Sequence, residues 1–211
     1  MAIVDYGAGN LRSVTKAVAR LGYAPAVTAD PGEVAAAGAL ILPGVGAAAD
    51  TMANLRQRGL VGPIVEFIGS GRPFLGVCMG LQALLTGSQE GGWEPCLDIV
   101  PGVVKRLPAG RKVPHMGWNQ VRQVQAHPVL RGIPEGADFY FVHSYYTEPQ
   151  DPAVIAGRTE YGVDFCSLLI RGNVIGTQFH PEKSGEVGLL LYENFLRWSA
   201  LPKTAARSAG A

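Results

Sequence analysis

The 211-residue chain is 47% hydrophobic and only 17% charged, and its 18 basic and 17 acidic residues leave a formal charge of +1. That balance excludes a disordered chain and argues against nucleic acid or an anionic membrane as the main partner, while the length suits one large domain. Gly is about twice as frequent as usual, at 28 residues without any collagen-like period, which points to many tight turns between buried elements.

The predicted elements begin with a short apolar strand over 2–5, closed by the turn Gly7-Ala8-Gly9-Asn10. Leu11, Val14, Ala17, Val18 and Leu21 then recur at helical spacing, and Gly22 stops that helix. A strand over 24–28, a short helix over 31–37 and a buried strand over 38–42 follow, the last closed by Pro43-Gly44-Val45-Gly46. Residues 47–67 are helical material broken around 59–63, 73–77 is a continuous apolar strand, and a helix is expected over 80–85. Alternating helices and strands that are apolar throughout predict a parallel sheet covered on both faces. Beyond residue 100 the pattern changes to short β-type runs between Pro/Gly turns: 100–107, 119–124, 139–142, 153–158, 165–170 and 174–178. These predict further, partly antiparallel strands before a last helix over 186–198. The expectation is a single α/β domain over 1–200, flavodoxin-like, with a disordered tail over 201–211.

The N-terminus lacks the charged and apolar regions of a signal peptide, and no apolar run reaches the ~18–20 residues that span a bilayer. The three cysteines, Cys78, Cys96 and Cys166, are odd in number and show no C-x-x-C spacing. Disulfides and structural zinc are not expected, and a cytoplasmic setting fits best. Cys96 and Cys166 read as small buried hydrophobes.

Cys78 has a different context. In Gly76-Val77-Cys78-Met79-Gly80 it stands between two glycines where a buried strand turns into a helix, the layout of a nucleophile elbow with Cys in place of Ser. Residues two away must lack a Cβ, and the helix N-terminus favours thiolate, with the Met79 amide aimed at a developing oxyanion. The same pattern alone equally fits a buried cysteine beside packing glycines. Gly176-Thr177-Gln178-Phe179-His180-Pro181-Glu182 supplies a base and, two residues on, a carboxylate that can fix its tautomer. Taken alone, His-Pro-Glu is ordinary solvated surface, and metal ligation is a weaker option because His115, His127 and His143 lack ligand spacing with it. At the end of the third strand, Gly44, Val45 and Gly46 can offer a second oxyanion donor. The segment Gly44–Ala49 also matches G-x-G-x-x-A, with Glu66 placed as a ribose-binding acid. Pro43 in the turn and the cysteine elbow downstream favour the oxyanion reading.

These three pieces, in this order, resemble the class I (triad) glutamine amidotransferases, and the likeness runs from Ala2 to about Trp198. The resemblance implies that Cys78, His180 and Glu182 form the catalytic triad of a glutaminase acting on L-glutamine without cofactor or metal. It implies that Gln82, Glu90, Gly46 and the loop His143-Ser144-Tyr145-Tyr146 hold the substrate, with that loop on its α-carboxylate. Asp5-Tyr6-Gly7-Ala8-Gly9-Asn10-Leu11, Pro114-His115-Met116-Gly117-Trp118-Asn119 and Gln178-Phe179-His180-Pro181-Glu182-Lys183-Ser184 match one branch of the family. In that branch the glutaminase forms a heterodimer with a separate (β/α)8 cyclase subunit that receives the ammonia. Asn10, Met116, Trp118 and Tyr140 are then expected at the interface, although a Met/Trp pair also reads as ordinary core.

Overall fold

In the computed structural model, which describes residues 1–200, strand and helix alternate over the first eighty residues. The elements are β1 (Ala2–Val4), α1 (Leu11–Arg20), β2 (Ala26–Thr28), α2 (Pro31–Ala36), β3 (Leu40–Gly44), α3 (Ala48–Gln57), α4 (Val61–Gly69), β4 (Phe74–Cys78) and α5 (Met79–Gln82). There follow β5 (Leu85–Ser88), β6 (Glu94–Pro95), β7 (Val100–Arg106), β8 (His115–Gln123), β9 (Ala137–His143), β10 (Tyr145–Pro149), β11 (Ile155–Glu160), β12 (Asp164–Arg171), β13 (Val174–Thr177) and α6 (Gly185–Ala200). The tail expected at 201–211 lies outside the described residues.

The main sheet runs β2-β1-β3-β4-β13-β12-β10-β7-β5-β6. Its β2-β1-β3-β4-β13 portion is parallel and β13, β12, β10 and β7 pair antiparallel. β11 leaves β12 to pair with β8, which in turn pairs with β9 as a projecting ribbon. Successive strand residues point to opposite faces. Ala2, Val4, Leu40, Leu42 and Phe74 pack with Met52, Leu55, Ile64 and Phe67 of α3 and α4. Ile3, Ile41 and Leu75 pack with Val14 and Val18 of α1 and Leu191 and Phe195 of α6. Both layers are apolar, which is why the parallel strands read as unbroken apolar runs.

Two expectations need correction. The helix over 80–85 is a single turn, Met79–Gln82, after which Leu85 enters β5 opposite Val100. The Leu84 carbonyl accepts from both Ile99 and Val100, so pairing with β7 overrides the helical apolar spacing. Little macrodipole therefore stands behind Cys78; what remains is the set of individual amides in one turn. The segment His143–Tyr146 is also not an open loop, because His143 ends β9, Tyr145 begins β10, and Ser144 alone separates them.

The tightest backbone approach in this part of the fold lies where β3 and β4 meet α5. A Cβ on Gly80 would collide with the Leu42 carbonyl oxygen, and one on Gly76 would lie 2.5 Å from the Gly80 carbonyl oxygen. Neither neighbour can yield easily, since one is backbone of β3 and the other backbone of the α5 turn. We expect Gly80→Ala to lower the unfolding free energy by about 3 kcal/mol or more in urea titrations. Wild-type stability in that variant would show that the elbow relaxes freely.

Candidate active site

The strand-to-helix turn places Cys78 at φ 54°, ψ −104°, a left-handed conformation rare for a residue with a Cβ. Cys78 stands opposite Gly44 of β3 in register, while Gly176 and Thr177 of β13 stand opposite Gly76 and Val77. The chain leaving β13 therefore carries Gln178 and His180 to the Cys78 end of β4. Here the carboxyl ends of parallel strands open a cleft, the usual position of a site in such sheets.

A cavity of about 310 Å³ sits there, lined by Cys78, Met79, His180, Val45, Gly46 and the predicted substrate residues Gln82, Glu90, His143, Ser144 and Tyr145. Pro114 and Val142 complete the wall. Gly44 stands one step back within β3, where a Cβ would meet Gly80 N and the Tyr6 hydroxyl at 2.9 Å. Because Val45 and Gly46 line the cysteine's cavity and Glu66 is exposed on α4, the dinucleotide reading of Gly44–Ala49 gains no support.

His180 Nδ1 lies 2.8 Å from Glu182 Oε1, with both side chains almost fully buried. The other Glu182 oxygen accepts from the Tyr192 hydroxyl of α6 at 3.4 Å. A carboxylate on Nδ1 selects the tautomer with Nε2 free, and Nε2 is buried without a hydrogen-bond partner. Burial alone lowers the His180 pKa, but the adjacent Cys78 thiol and Glu182 carboxylate outweigh it and raise the value above the usual imidazole range. Glu90 Oε2 accepts from the Ala48 amide at the start of α3 at 2.8 Å, which fixes a carboxylate at the cavity wall. Among the described residues no cluster of His, Cys, Asp or Glu could hold a metal ion. Cys96 and Cys166 are free thiols whose pKa values burial pushes up to about 11 and about 12.

Three residues escaped the sequence reading. Tyr6 is fully buried beneath Gly44, and burial raises its pKa to about 12. Gln178, quoted only as motif, has its side-chain amide against Cys78. His115 of β8 bonds to His143 across the ribbon, Nδ1 to Nε2, at 3.0 Å. Direction follows from chemistry, because the Tyr145 carbonyl can only accept and lies 2.8 Å from His143 Nδ1. His143 therefore donates from Nδ1 and accepts at Nε2 from His115, whose Nε2 accepts from Asn119 Nδ2 at 3.2 Å. Neutral rings suit this relay, and burial lowers the pKa of His115 to about 4 and of His143 to about 3.

The proposed partner residues divide by exposure. Met116 and Trp118, on the outward side of β8, are 61% and 58% exposed, which removes the reading of that pair as core. Half-buried Tyr140 meets Trp118 edge-on at 6.1 Å. Asn10 is half-buried at the start of α1, which packs beside the 181–183 turn.

A family model, glutamine amidotransferase class-I, matches residues 2–198. A Moorella thermoacetica protein named imidazole glycerol phosphate synthase subunit HisH is 59% identical over 195 residues, covering 92% of this chain and 93% of the relative. A Dehalococcoides mccartyi protein of the same name is 55% identical over 197 residues, covering 93% and 96%. Among solved structures, one described as a glutamine amidotransferase has a TM-score of 0.76 at 21% identity, covering 95% of this chain and 99% of that one. PurLQS from Thermotoga maritima gives 0.75 at 18% identity, covering 93% and 97%. The two structural likenesses speak to the fold alone.

The histidine relay has a pH signature. Groups held neutral by burial contribute stability that is present above the unfolded histidine value of about 6.5 and is lost as pH falls toward 4 and 3. His180, shifted the other way, contributes fully below about 6.5 and loses its contribution only as pH rises, so it adds no slope in the acid window. We expect urea unfolding free energy to fall from pH 6.5 to 5 more steeply in wild type than in His143→Gln. Equal slopes would show that the pair titrates normally.

Proposed function

We propose a function from one premise: this chain belongs to the class-I glutamine amidotransferase family. It is the glutaminase subunit of imidazole glycerol phosphate synthase, hydrolysing L-glutamine to glutamate and ammonia in the cytoplasm. It passes the ammonia to a (β/α)8 cyclase subunit in a heterodimer, which forms imidazole glycerol phosphate and an aminoimidazole carboxamide ribotide. The observation that carries this reading is the strained Cys78 sharing a cavity with His180, whose one nitrogen is bound to Glu182 and whose other is free. The relatives named HisH, at 55% and 59% identity, support the choice of synthase.

The residues divide the chemistry as follows. His180 Nε2 takes the proton of the Cys78 thiol, and Glu182 holds the ring and stabilises its positive charge. The thiolate attacks the side-chain amide carbon of glutamine. The oxyanion so formed is met by backbone amides of Met79 and the Val45–Gly46 turn, with Gly44 shaping that turn; each donor contributes about 2.7–4 kcal/mol. Protonated His180 gives its proton to the departing ammonia, leaving a γ-glutamyl thioester. Water, losing a proton to His180, then releases glutamate and restores the thiol. The Glu90 carboxylate suits the substrate's ammonium group, and the Ser144–Tyr145 junction its α-carboxylate. Gln82 closes the floor beside them.

Met116, Trp118 and Tyr140 form an aromatic-rich exposed patch of the kind that anchors protein partners. Asn10 is assigned to the same interface. No helix among the described residues is long and apolar enough to cross a membrane.

Cys78→Ala is expected to reduce glutamate release from glutamine at least about a thousandfold, while the assembled synthase still works with added ammonia. Retained glutaminase activity would remove Cys78 from the mechanism. Trp118→Ala is expected to weaken binding of the cyclase subunit by about tenfold or more in calorimetric titration. Unchanged affinity would move the interface off β8.

A further inference from the structure

The Tyr145 carbonyl orients a second chain of hydrogen bonds, this one ending on the nucleophile. Gln82 Nε2 lies 2.9 Å from that carbonyl, which can only accept, so Nε2 is the amide nitrogen by necessity. The same nitrogen lies 3.1 Å from the Gln178 side chain, which must therefore present its oxygen there. That choice turns the Gln178 Nε2 group toward Cys78 Sγ, at 3.7 Å. Gln82 is 2% exposed and Gln178 fully buried, so no solvent competes for either amide. The Gln178 backbone N–H bonds to the Ser167 carbonyl at 2.9 Å, which fixes the base of the side chain.

We propose that Gln178 is a further catalytic residue: its amide N–H, oriented by the Tyr145 carbonyl through Gln82, donates to Cys78 Sγ whenever the sulfur is anionic. The sulfur carries that charge twice, as the attacking thiolate and again when the C–S bond of the thioester breaks and its electron pair returns to sulfur. His180 is positive at the first moment and gives up its proton near the second, whereas the Gln178 donor is present at both. Charge-assisted bonds of this kind are about twice as strong as neutral ones, and Gln178 itself is fully buried. The inference rests on Cys78 being the nucleophile. Besides Gln178, the groups that act on the sulfur are His180 and the buried Tyr6.

Two variants separate a donor from a filler. Gln178→Glu keeps the shape and the oxygen facing Gln82 but replaces the N–H at sulfur by a second oxygen. Gln178→Met removes both contacts while filling the space. Alkylation of Cys78 by iodoacetamide in the full chain, followed from pH 5 to 9, reads the sulfur directly. We expect the acid limb of the rate profile to move to higher pH by about one unit in Gln178→Met and further in Gln178→Glu. Glutaminase kcat at neutral pH in the synthase complex should fall about three- to tenfold in Gln178→Met and more in Gln178→Glu, with KM for glutamine unchanged. A purely structural role predicts the reverse order, with the isosteric Glu variant the milder, and that order overturns the proposal. So does a wild-type profile in either variant that unfolds at the wild-type temperature. Cys78→Ser is the reference: if it keeps glutaminase activity the nucleophile assignment fails, whereas inactive Cys78→Ser beside unaffected Gln178 variants defeats this inference alone.

Discussion

The close approach of backbone at the β3–β4–α5 junction is the constraint on which the rest of the site depends. With Gly76 under the Gly80 carbonyl and Gly80 under the Leu42 carbonyl, the chain after β4 has one way to turn. That turn leaves Cys78 at φ 54°, a strain of about 1–3 kcal/mol that the sheet must overcome. It can do so because β4 is central and paired in register on both sides, to β3 and to β13. The pairing that holds the strained cysteine also delivers its neighbours. β13 ends beside β4, so the residues leaving it need no long excursion to reach the sulfur, and α6 closes over them with Gly188 set directly against the Pro181 carbonyl.

A buried polar network is tolerable only when its donors and acceptors match, and here one backbone carbonyl orders two branches. Tyr145 accepts from His143 on one side and Gln82 on the other. Working outward, every tautomer and amide orientation as far as Asn119 and Cys78 follows without a free choice. The histidine branch also explains why two imidazoles remain neutral so close to a third whose pKa is raised. His115 is stacked between Phe141 and Tyr161 at 4.8 and 3.9 Å, leaving no water to solvate a charge on it.

What the sequence reveals and what it hides divide along the same physical line. The elbow was legible because steric exclusion writes itself as glycine at fixed spacing, and His180 and Glu182 because two residues of separation suffice for a ring-to-carboxylate bond. The parallel strands β1, β3 and β4 were legible because burial on both faces leaves no polar position. Residues 80–85 were not, since an apolar run holds no record of whether β7 will arrive beside it. Ser144 is a one-residue corner between strands, and local composition cannot tell such a corner from a loop. The relay from Asn119 to Tyr145 spans β8, β9 and β10, so no spacing in the chain announces it. Met116 and Trp118 were ambiguous for a related reason: alternation shows that they share a side of β8, but only the packing of β9 and β11 shows which side is left open.

The exposed side of that ribbon is not independent of the Cys78 cavity. Tyr140, whose ring meets Trp118 on the surface, donates its backbone N–H to Ser184 Oγ at 3.0 Å and accepts from the His180 N–H at 2.9 Å. Ser184 Oγ in turn donates to the His180 carbonyl at 2.7 Å, closing a ring of three bonds around the turn that carries His180 and Glu182. One residue thus belongs both to the proposed partner surface and to the backbone that positions His180. A partner seated on Trp118 and Tyr140 would therefore rest on the same residue whose backbone carbonyl accepts from the His180 N–H, without entering the cavity.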